Sequence, residues 1–171
     1  MDPVDEWTRD RVLDGARLVA GDDVVDVGAG DGLLTFGALE RIGDGWVYAV
    51  DPSAEALEEL ERRAEELLAT GIVYLVGDAC VLPLPDASVA AAVTCSVPAD
   101  DDLAEAAREL HRVLRPGARV SFCEQHDREA ACDELVRALR EAGFADVELE
   151  VESQAGEPPV RRAAFVRAHR P

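Results

Sequence analysis

Short apolar runs of β-forming residues alternate with amphipathic helical runs, and this alternation constrains the fold more than any other feature of the sequence. The order is typical of a parallel sheet whose strands are joined by crossover helices. The pattern predicts strands at 24–27, 46–50, 72–76, 89–95, 119–124, 147–151 and 160–166. It predicts helices at 8–19 and 33–42, one capped by Ser53, one capped by Asp101 or Asp102, and one beginning at Asp127. The predicted fold class is α/β: a seven-stranded, mostly parallel sheet with helices on both faces, whose last two strands form a hairpin.

The net charge is −19, from 36 acidic residues against 17 basic ones, all of which are arginine. Because a surface this negative repels phosphate groups, we expect neither nucleic acid nor an anionic membrane as a partner. The acid excess resembles the surfaces of halophilic proteins, while a GC-rich genome also explains the missing lysine; both explanations stay open. No apolar run reaches the ~20 residues that span a bilayer, and the charged start lacks a signal-peptide core, so we expect a cytoplasmic protein.

Cysteine spacing and side-chain patterning predict what is buried. The cysteines show neither a CxxC pair nor zinc-ligand spacing, so we expect no disulfide framework and no metal site, and most thiols buried: Cys80, Cys95, Cys123 and Cys132. Several large apolar residues are also expected in the core: Trp7, Trp46, Tyr48, Leu67 and Leu68. The charged run 58–63 is expected to form a solvent-exposed helix face, and His111 a structural position on its helix.

A glycine-rich segment, 25–33 (VDVGAGDGL), stands where the first predicted strand passes into a helix. Glycines there let a ligand approach the backbone at the electropositive start of a helix. The dinucleotide fingerprint GxGxxG fails, because Leu33 occupies the place of its third glycine. The acid two residues before the first glycine, Asp26, disfavours a pyrophosphate and favours a ligand with a positive or hydrogen-bond-donating group.

Two more acids follow the next two strands. Asp51 ends the second strand, where a carboxylate can accept both hydroxyls of a ribose, and Asp78 follows the third, where it can accept from an exocyclic amine. The carboxyl ends of parallel strands meet at one edge of the sheet, and open α/β sheets bind ligands in the crevice there. The sequence therefore predicts a nucleoside-binding crevice lined by Asp26, Asp51 and Asp78.

Four stretches resemble the motifs of class I S-adenosylmethionine-dependent methyltransferases, of the Rossmann-like type 11 or UbiE-like group: VVDVGAGDGLLT, WVYAVDPSAEAL, IVYLVGDACVLPLPDASV and ELHRVLRPGARVSF. They occur in the family's order and spacing, and the similarity runs from about residue 7 to the end. The resemblance implies one domain over 1–171, with an N-terminal helix over 1–21, a cofactor-binding core over 22–126 and a C-terminal helix and hairpin over 127–171. It implies S-adenosyl-L-methionine as the cofactor and methyl transfer as the activity.

The resemblance also implies the cofactor contacts. Asp26 and the loop residues Gly28, Ala29, Gly30 and Gly32 would face the methionine part, Asp51 and Pro52 the ribose, Asp78 and Ala79 the adenine, and Thr94 to Ser96, with Cys95 between them, the methionine end. It implies no dedicated catalytic residue, because the sulfonium is already an activated leaving group. His126, after the fifth strand, is a candidate base that could deprotonate an acceptor.

The sequence departs from the family pattern at two positions: Ala90 stands where many relatives carry aspartate, and Ala118 replaces the second glycine of a PGG turn. Ala90, together with the missing lid insertion and the small size, motivates an alternative, a non-catalytic S-adenosylmethionine-binding or protein-interaction domain, against which the intact cofactor acids argue. A nucleotide-dependent oxidoreductase is disfavoured by Leu33. The expected acceptor is a small or medium-sized metabolite enclosed by a homodimer, with a protein acceptor as the alternative.

Overall fold

The computed structural model describes residues 6–95, 102–125, 129–153 and 162–171. Helices and strands alternate through most of these ranges, in this order: α1 (Glu6–Ala16), β1 (Asp23–Val27), α2 (Leu33–Ile42), β2 (Trp46–Asp51), α3 (Ala54–Glu66), β3 (Ile72–Val76), β4 (Val89–Thr94), α4 (Leu103–Val113), β5 (Leu114–Gln125), α5 (Glu129–Glu141), β6 (Ala145–Ser153) and β7 (Arg162–His169). None of the described helices is long and apolar enough to cross a membrane.

The seven strands form one sheet in the order β3-β2-β1-β4-β5-β7-β6. The five strands from β3 to β5 are parallel, whereas β7 runs antiparallel to β5 and to β6. This confirms the predicted sheet and its terminal hairpin. The chain reverses its direction of winding between β1 and β4, so the crevice beyond their carboxyl ends is the topological switch point where such sheets bind ligands.

Helices cover both faces of the sheet. Successive residues of each strand point to opposite sides, so each strand contributes apolar side chains to both layers of helices. On one face, Leu110 of α4 and Leu139 of α5 pack in a cluster that includes Val25 of β1. On the other face, Leu13 of α1 and Leu34 of α2 pack with the neighbouring Val24. α3 lies against β2 and β3 through Leu57 and Leu60, which join Ala49 in a third cluster.

Local signals explain several helix ends. The Ser53 side chain accepts a hydrogen bond from the Ala56 N–H at 3.1 Å, which confirms the predicted cap of α3. Asp102 stands at the N-cap position of α4, as predicted, but its side chain makes no cap hydrogen bond. Asp101 and Asp127 lie outside the described residues. α1 ends at Ala16 rather than at residue 19, because Arg17 adopts a φ of 52° that leaves the helical conformation.

β5 begins at Leu114, five residues before the predicted start. α4 ends at Val113, directly before it, although Pro116 and Gly117 are the residues that would be expected to end this helix. Leu114 already has extended dihedrals, and it pairs with Val89 before the register shifts. At the end of the sheet, β7 continues to His169, three residues beyond the predicted end, because its last residues pair with Arg119 and its neighbours on β5.

Three apolar residues expected in the core are exposed: Trp46 by 49%, Leu67 by 60% and Leu68 by 87%. α3 ends at Glu66, and Leu68 has a φ of 54°, so the last two leucines leave the helix face that packs on the sheet. Trp46 is the first residue of β2, on a face whose helices α4 and α5 pack over β5 to β7. Trp7 and Tyr48 are half-buried, and Trp7 stacks edge-on against Phe165.

The remaining predictions about buried groups hold in part. All four cysteines are free; Cys123 and Cys132 are buried, while Cys80 and Cys95 are half-buried. His111 packs edge-on against Phe144 at 5.3 Å between ring centroids, which confirms its structural position. Burial lowers the pKa of this imidazole, and the charge of Arg170 lowers it further.

Candidate cofactor-binding site

The glycine loop between β1 and α2 is tied to the end of β2. Gly28 and Ala29 donate their N–H groups to the Val50 carbonyl at 2.8 and 3.1 Å. Gly32 has a φ of 81°, and a Cβ at this position would collide with the Leu60 side chain. Glycine is therefore required here by both the backbone and the packing of α3. The loop that the sequence predicts is present, and its conformation is specified by the neighbouring strand and helix.

Asp51 joins the loop to α3. Its Oδ2 accepts from the Gly30 N–H at 3.0 Å, and its Oδ1 accepts from the Ser53 N–H at 2.8 Å. Asp51 is only 9% exposed and ends β2, at the edge of the sheet where the crevice lies, with both carboxylate oxygens held by backbone donors. The neighbouring Pro52 is exposed. An ionised carboxylate oxygen has further lone pairs, so this geometry leaves Asp51 able to accept from a ligand's hydroxyls.

Asp26 is completely buried at the end of β1. Its Oδ2 accepts from the Thr35 hydroxyl at 2.6 Å, whereas its Oδ1 has no hydrogen-bond partner among the described residues. Burial raises the pKa of Asp26 to about 7; the Thr35 hydrogen bond opposes this shift, and the negative charge of Asp51 adds to it. A buried carboxyl with one orphaned oxygen is costly unless a donor or a cation completes it.

Asp78 shapes the turn after β3. Its Oδ1 accepts from the N–H groups of Cys80 at 2.8 Å and Val81 at 3.0 Å, which is the side-chain-to-backbone pattern of an Asx turn. The residue is exposed, so its carboxylate faces solvent at the same sheet edge as Asp51. Asp78 therefore has a structural role in the turn, and both of these hydrogen bonds use Oδ1 and leave Oδ2 to other donors.

A small apolar pocket lies behind these acids, between the ends of β1, β4 and β5 and the helices α4 and α5. Its walls include Val27, Ala79, Thr94, Leu103 and Phe122. Ala79 and Thr94, which the sequence assigned to opposite ends of the ligand, thus border one space. The space measures only about 10 Å³, enough for one water molecule at most, so it is a small void in the core rather than a site for part of a ligand.

Cys95 extends β4 beside Cys123 of β5. The hydrogen bond between the two thiols, together with burial, raises the pKa of the Cys95 thiol, so this sulfur is not a reactive thiolate near neutral pH. Ser96 and His126 lie outside the described residues. Among the residues that the structure describes, no group of three or more metal-ligating side chains comes together.

Two residues that organise this site were not predicted from the sequence. Thr35, in the first turn of α2, donates to Asp26, and Arg63 of α3 donates to the Asp31 carbonyl of the glycine loop at 2.9 Å. Thr35 could have been found, because a hydroxyl one turn into the helix after a buried acid is placed to reach it. Nothing in the local pattern marks Arg63, since its contact depends on how α3 packs against the loop.

The strand order and the glycine loop with its neighbouring acids define the class I methyltransferase fold. The geranyl diphosphate C-methyltransferase of Streptomyces coelicolor, solved with S-adenosyl-L-homocysteine, superposes with a TM-score of 0.78 at 18% identity, covering 96% of this chain and 76% of that one. That likeness shows the fold.

Sequence comparison then gives the family. A family model described as a methyltransferase domain matches residues 24–117, and the chain belongs to this family. An arsenite methyltransferase of Halobacterium salinarum is 27% identical over 164 residues, which cover 83% of this chain and 42% of that protein. The ubiquinone/menaquinone biosynthesis C-methyltransferase UbiE of a Ruegeria species is 31% identical over 118 residues, covering 68% of this chain and 47% of that protein. The matched region spans less than half of either relative.

Proposed function

We propose that this chain transfers a methyl group from S-adenosyl-L-methionine to a small or medium-sized acceptor. The observation that carries the proposal is the Asp51 carboxylate, which bonds the Gly30 N–H of the loop and lies on the crevice. This hydrogen bond joins an acid that is placed to accept ribose hydroxyls to a glycine loop that lets a ligand approach the backbone closely. Membership of the methyltransferase domain family supports the same conclusion.

The residues present fit this cofactor. Asp51 would accept the ribose hydroxyls, and Asp78 with the Ala79 backbone would take the adenine. The orphaned, buried Oδ1 of Asp26 suits the cationic amino group of the methionine part better than it suits a pyrophosphate, whose negative charge it would repel. When bound, the sulfonium supplies an electrophilic methyl group with a good leaving group.

The chain contributes positioning and exclusion of water rather than acid–base chemistry. The glycine loop and Asp51 would hold the donor, and closure of the crevice around the acceptor would keep water from the reacting end. Thr94, Cys95 and Ser96 would line the methionine end, and His126 is a candidate base for an acceptor that must lose a proton.

We further propose a neutral or cationic acceptor. The net charge of −19 repels polyanions. The two relatives described above are named for methylating arsenite and for quinone biosynthesis. Enclosure by a homodimer, a cytoplasmic location, a single domain over 1–171 and the exclusion of nucleic acid and membrane stay predictions.

The proposal is tested by incubating the purified chain with methyl-labelled S-adenosylmethionine and a panel of quinones, trivalent arsenic, amines, isoprenoids, peptides and RNA. We expect label in a small neutral or cationic acceptor, with one S-adenosylhomocysteine formed per methyl transferred. Tight cofactor binding with no label in any acceptor would instead support the non-catalytic domain. Binding of a dinucleotide in place of the cofactor would overturn the proposal.

A further inference from the structure

The glycine loop has few side chains whose contacts could stabilise its conformation. Gly28, Gly30 and Gly32 all have positive φ values, a conformation that an unrestrained loop leaves easily. On the side of β2, the loop is held by the Val50 carbonyl and by Asp51. The opposite side, at Asp31, is tied by two local hydrogen bonds, from the Gly32 N–H to the Ala29 carbonyl at 2.8 Å and from the Leu33 N–H to Asp31 Oδ1 at 3.3 Å. Neither of them ties this side of the loop to another segment of the fold.

Arg63 supplies such a tie from α3. Its Nη1 donates to the Asp31 carbonyl at 2.9 Å, although the two residues are 32 positions apart in the chain. Its guanidinium also lies over the Phe36 ring of α2, 5.3 Å from the ring centroid. Leu60, one turn earlier on α3, fills the space that a side chain at Gly32 would need. The helix thus contacts the loop through one polar and one apolar residue.

We propose that Arg63 is a positioning residue for the cofactor: it fixes the Asp31 side of the glycine loop, and so sets the affinity for the methionine part of S-adenosylmethionine. This inference rests on the proposed function. Arg63 itself does not contact the reacting atoms. It acts through the loop, whose preformed backbone avoids the entropy loss of ordering on binding.

The neighbouring Arg62 provides a matched control. It is 53% exposed and pairs with Glu59 and Glu66 on its own helix, away from the loop. Arg62→Gln and Arg63→Gln remove the same charge from adjacent positions of one helix. Any general effect of net charge or helix propensity is therefore common to both variants, and a difference between them reports the contact with the loop.

The experiment measures calorimetric affinities for two ligands. S-adenosylhomocysteine carries the methionine part, whereas 5′-methylthioadenosine keeps the adenosine and lacks the amino acid. We expect Arg63→Gln to bind S-adenosylhomocysteine about tenfold more weakly, through loss of one charged hydrogen bond and its ring contact. Its affinity for methylthioadenosine should be unchanged, Arg62→Gln should match wild type for both ligands, and Arg63→Lys should lie between wild type and Arg63→Gln.

Wild-type affinity for S-adenosylhomocysteine in folded Arg63→Gln would overturn this inference and leave the proposed function intact. Equal losses for both ligands would also overturn it, because they would mean a general disturbance of the crevice. A wild-type chain that binds neither ligand would overturn the proposed function, and the inference with it. Circular dichroism and a melting curve for each variant establish that the compared proteins are folded.

Discussion

The two halves of the sheet use their carboxylates differently. In the half formed by β1, β2 and β3, Asp51 and Asp78 each accept from two backbone N–H groups, and the buried Asp26 accepts from a hydroxyl. In the half formed by β5, β7 and β6, the acids of β6 face arginines: Glu150 pairs with Arg11 and Arg167, and Glu152 with Arg11. The first half has backbone-held acids, and the second has ion-paired acids.

The difference follows from what each half has to do. Backbone donors are fixed by the fold, so the acids that they hold keep one position, where a ligand with donors can use them. Arginine side chains are long and flexible, and the Glu150 carboxylate that they pair with is 51% exposed, so these pairs offset charge repulsion without fixing a site. The geometry of the site therefore depends on the surrounding loop and strands, whereas the stability of the hairpin half depends on the ionic strength of the solvent.

Among the tests of this difference, we expect the largest effect for the pH dependence of the stability that Asp26 contributes. Its pKa rises from 3.8 to about 7 on folding, so the folded state binds this proton more tightly than the unfolded chain. The Asp26 contribution to stability is full below pH ~4 and is lost as the pH rises to ~7, in total up to about 4 kcal/mol.

The measurement is urea unfolding of wild type and Asp26→Asn between pH 4 and 8. The variant, neutral at every pH, should gain stability relative to wild type as the pH rises through this window. Taking the difference between the two proteins cancels the titration of the other acids. A pH-independent difference would mean that Asp26 is not buried as described.

The second prediction concerns Asp51, the backbone-held acid on the crevice. Asp51→Ala should weaken S-adenosylhomocysteine binding by one to two decades, because each charge-assisted hydrogen bond to a ribose hydroxyl contributes roughly 1.5–3 kcal/mol. Asp44→Ala, at an exposed turn before β2, removes the same charge away from the crevice and should bind like wild type. Calorimetry on both variants decides it; equal affinities would remove Asp51 from the site.

Arg112 of α4 combines both kinds of contact. It donates to the carbonyls of Leu82 and Leu84 and pairs with Glu109, which lowers the pKa of that carboxyl. Arg112→Met should reduce the free energy of unfolding by about 2 kcal/mol, because part-buried acceptors lose their donor. Arg108→Met, exposed one turn earlier, should cost much less. Urea denaturation measures both, and equal losses would show that the Arg112 contacts add nothing.

The smallest expected effect lies in the ion-paired half. The Arg167 side chain is 22% exposed, but its partner Glu150 is 51% exposed, and ion pairs open to solvent contribute under about 1 kcal/mol each, so Arg167→Gln should lower the melting temperature by only a few degrees. Sodium chloride should raise the wild-type melting temperature, because the Debye length falls from about 30 Å at 0.01 M to about 3 Å at 1 M and the repulsion from a net charge of −19 is screened. A flat or falling melting temperature would contradict the halophile interpretation.

The sequence predicted the fold well where glycines bound an apolar run. α2 and β3 have the predicted bounds, since Gly32 and Gly43 flank the helix and Gly71 and Gly77 flank the strand. The start of β5 was missed, because Leu114 is placed in the sheet by its pairing with Val89 rather than by its own neighbours in the chain. Local chemistry fixes the turns, and tertiary pairing fixes the remaining boundaries.

The site shows the same division. The spacing of the loop and the placement of acids after strands were sufficient to predict where Asp26, Asp51 and Asp78 lie. They could not predict the contact that Arg63 makes. The charged residues of 58–63 are exposed, as predicted, yet Arg63 also donates to the Asp31 carbonyl, because α3 packs beside the glycine loop. A contact between distant segments leaves no recognisable pattern in the sequence of either segment alone.

The most direct test of the account is a calorimetric titration of S-adenosylhomocysteine into the wild-type chain, with NAD as the comparison ligand. A crevice built by the glycine loop, Asp26 and Asp51 predicts one S-adenosylhomocysteine bound per chain and no measurable heat from NAD. A folded chain that binds NAD, or that gives no heat with S-adenosylhomocysteine, would contradict it.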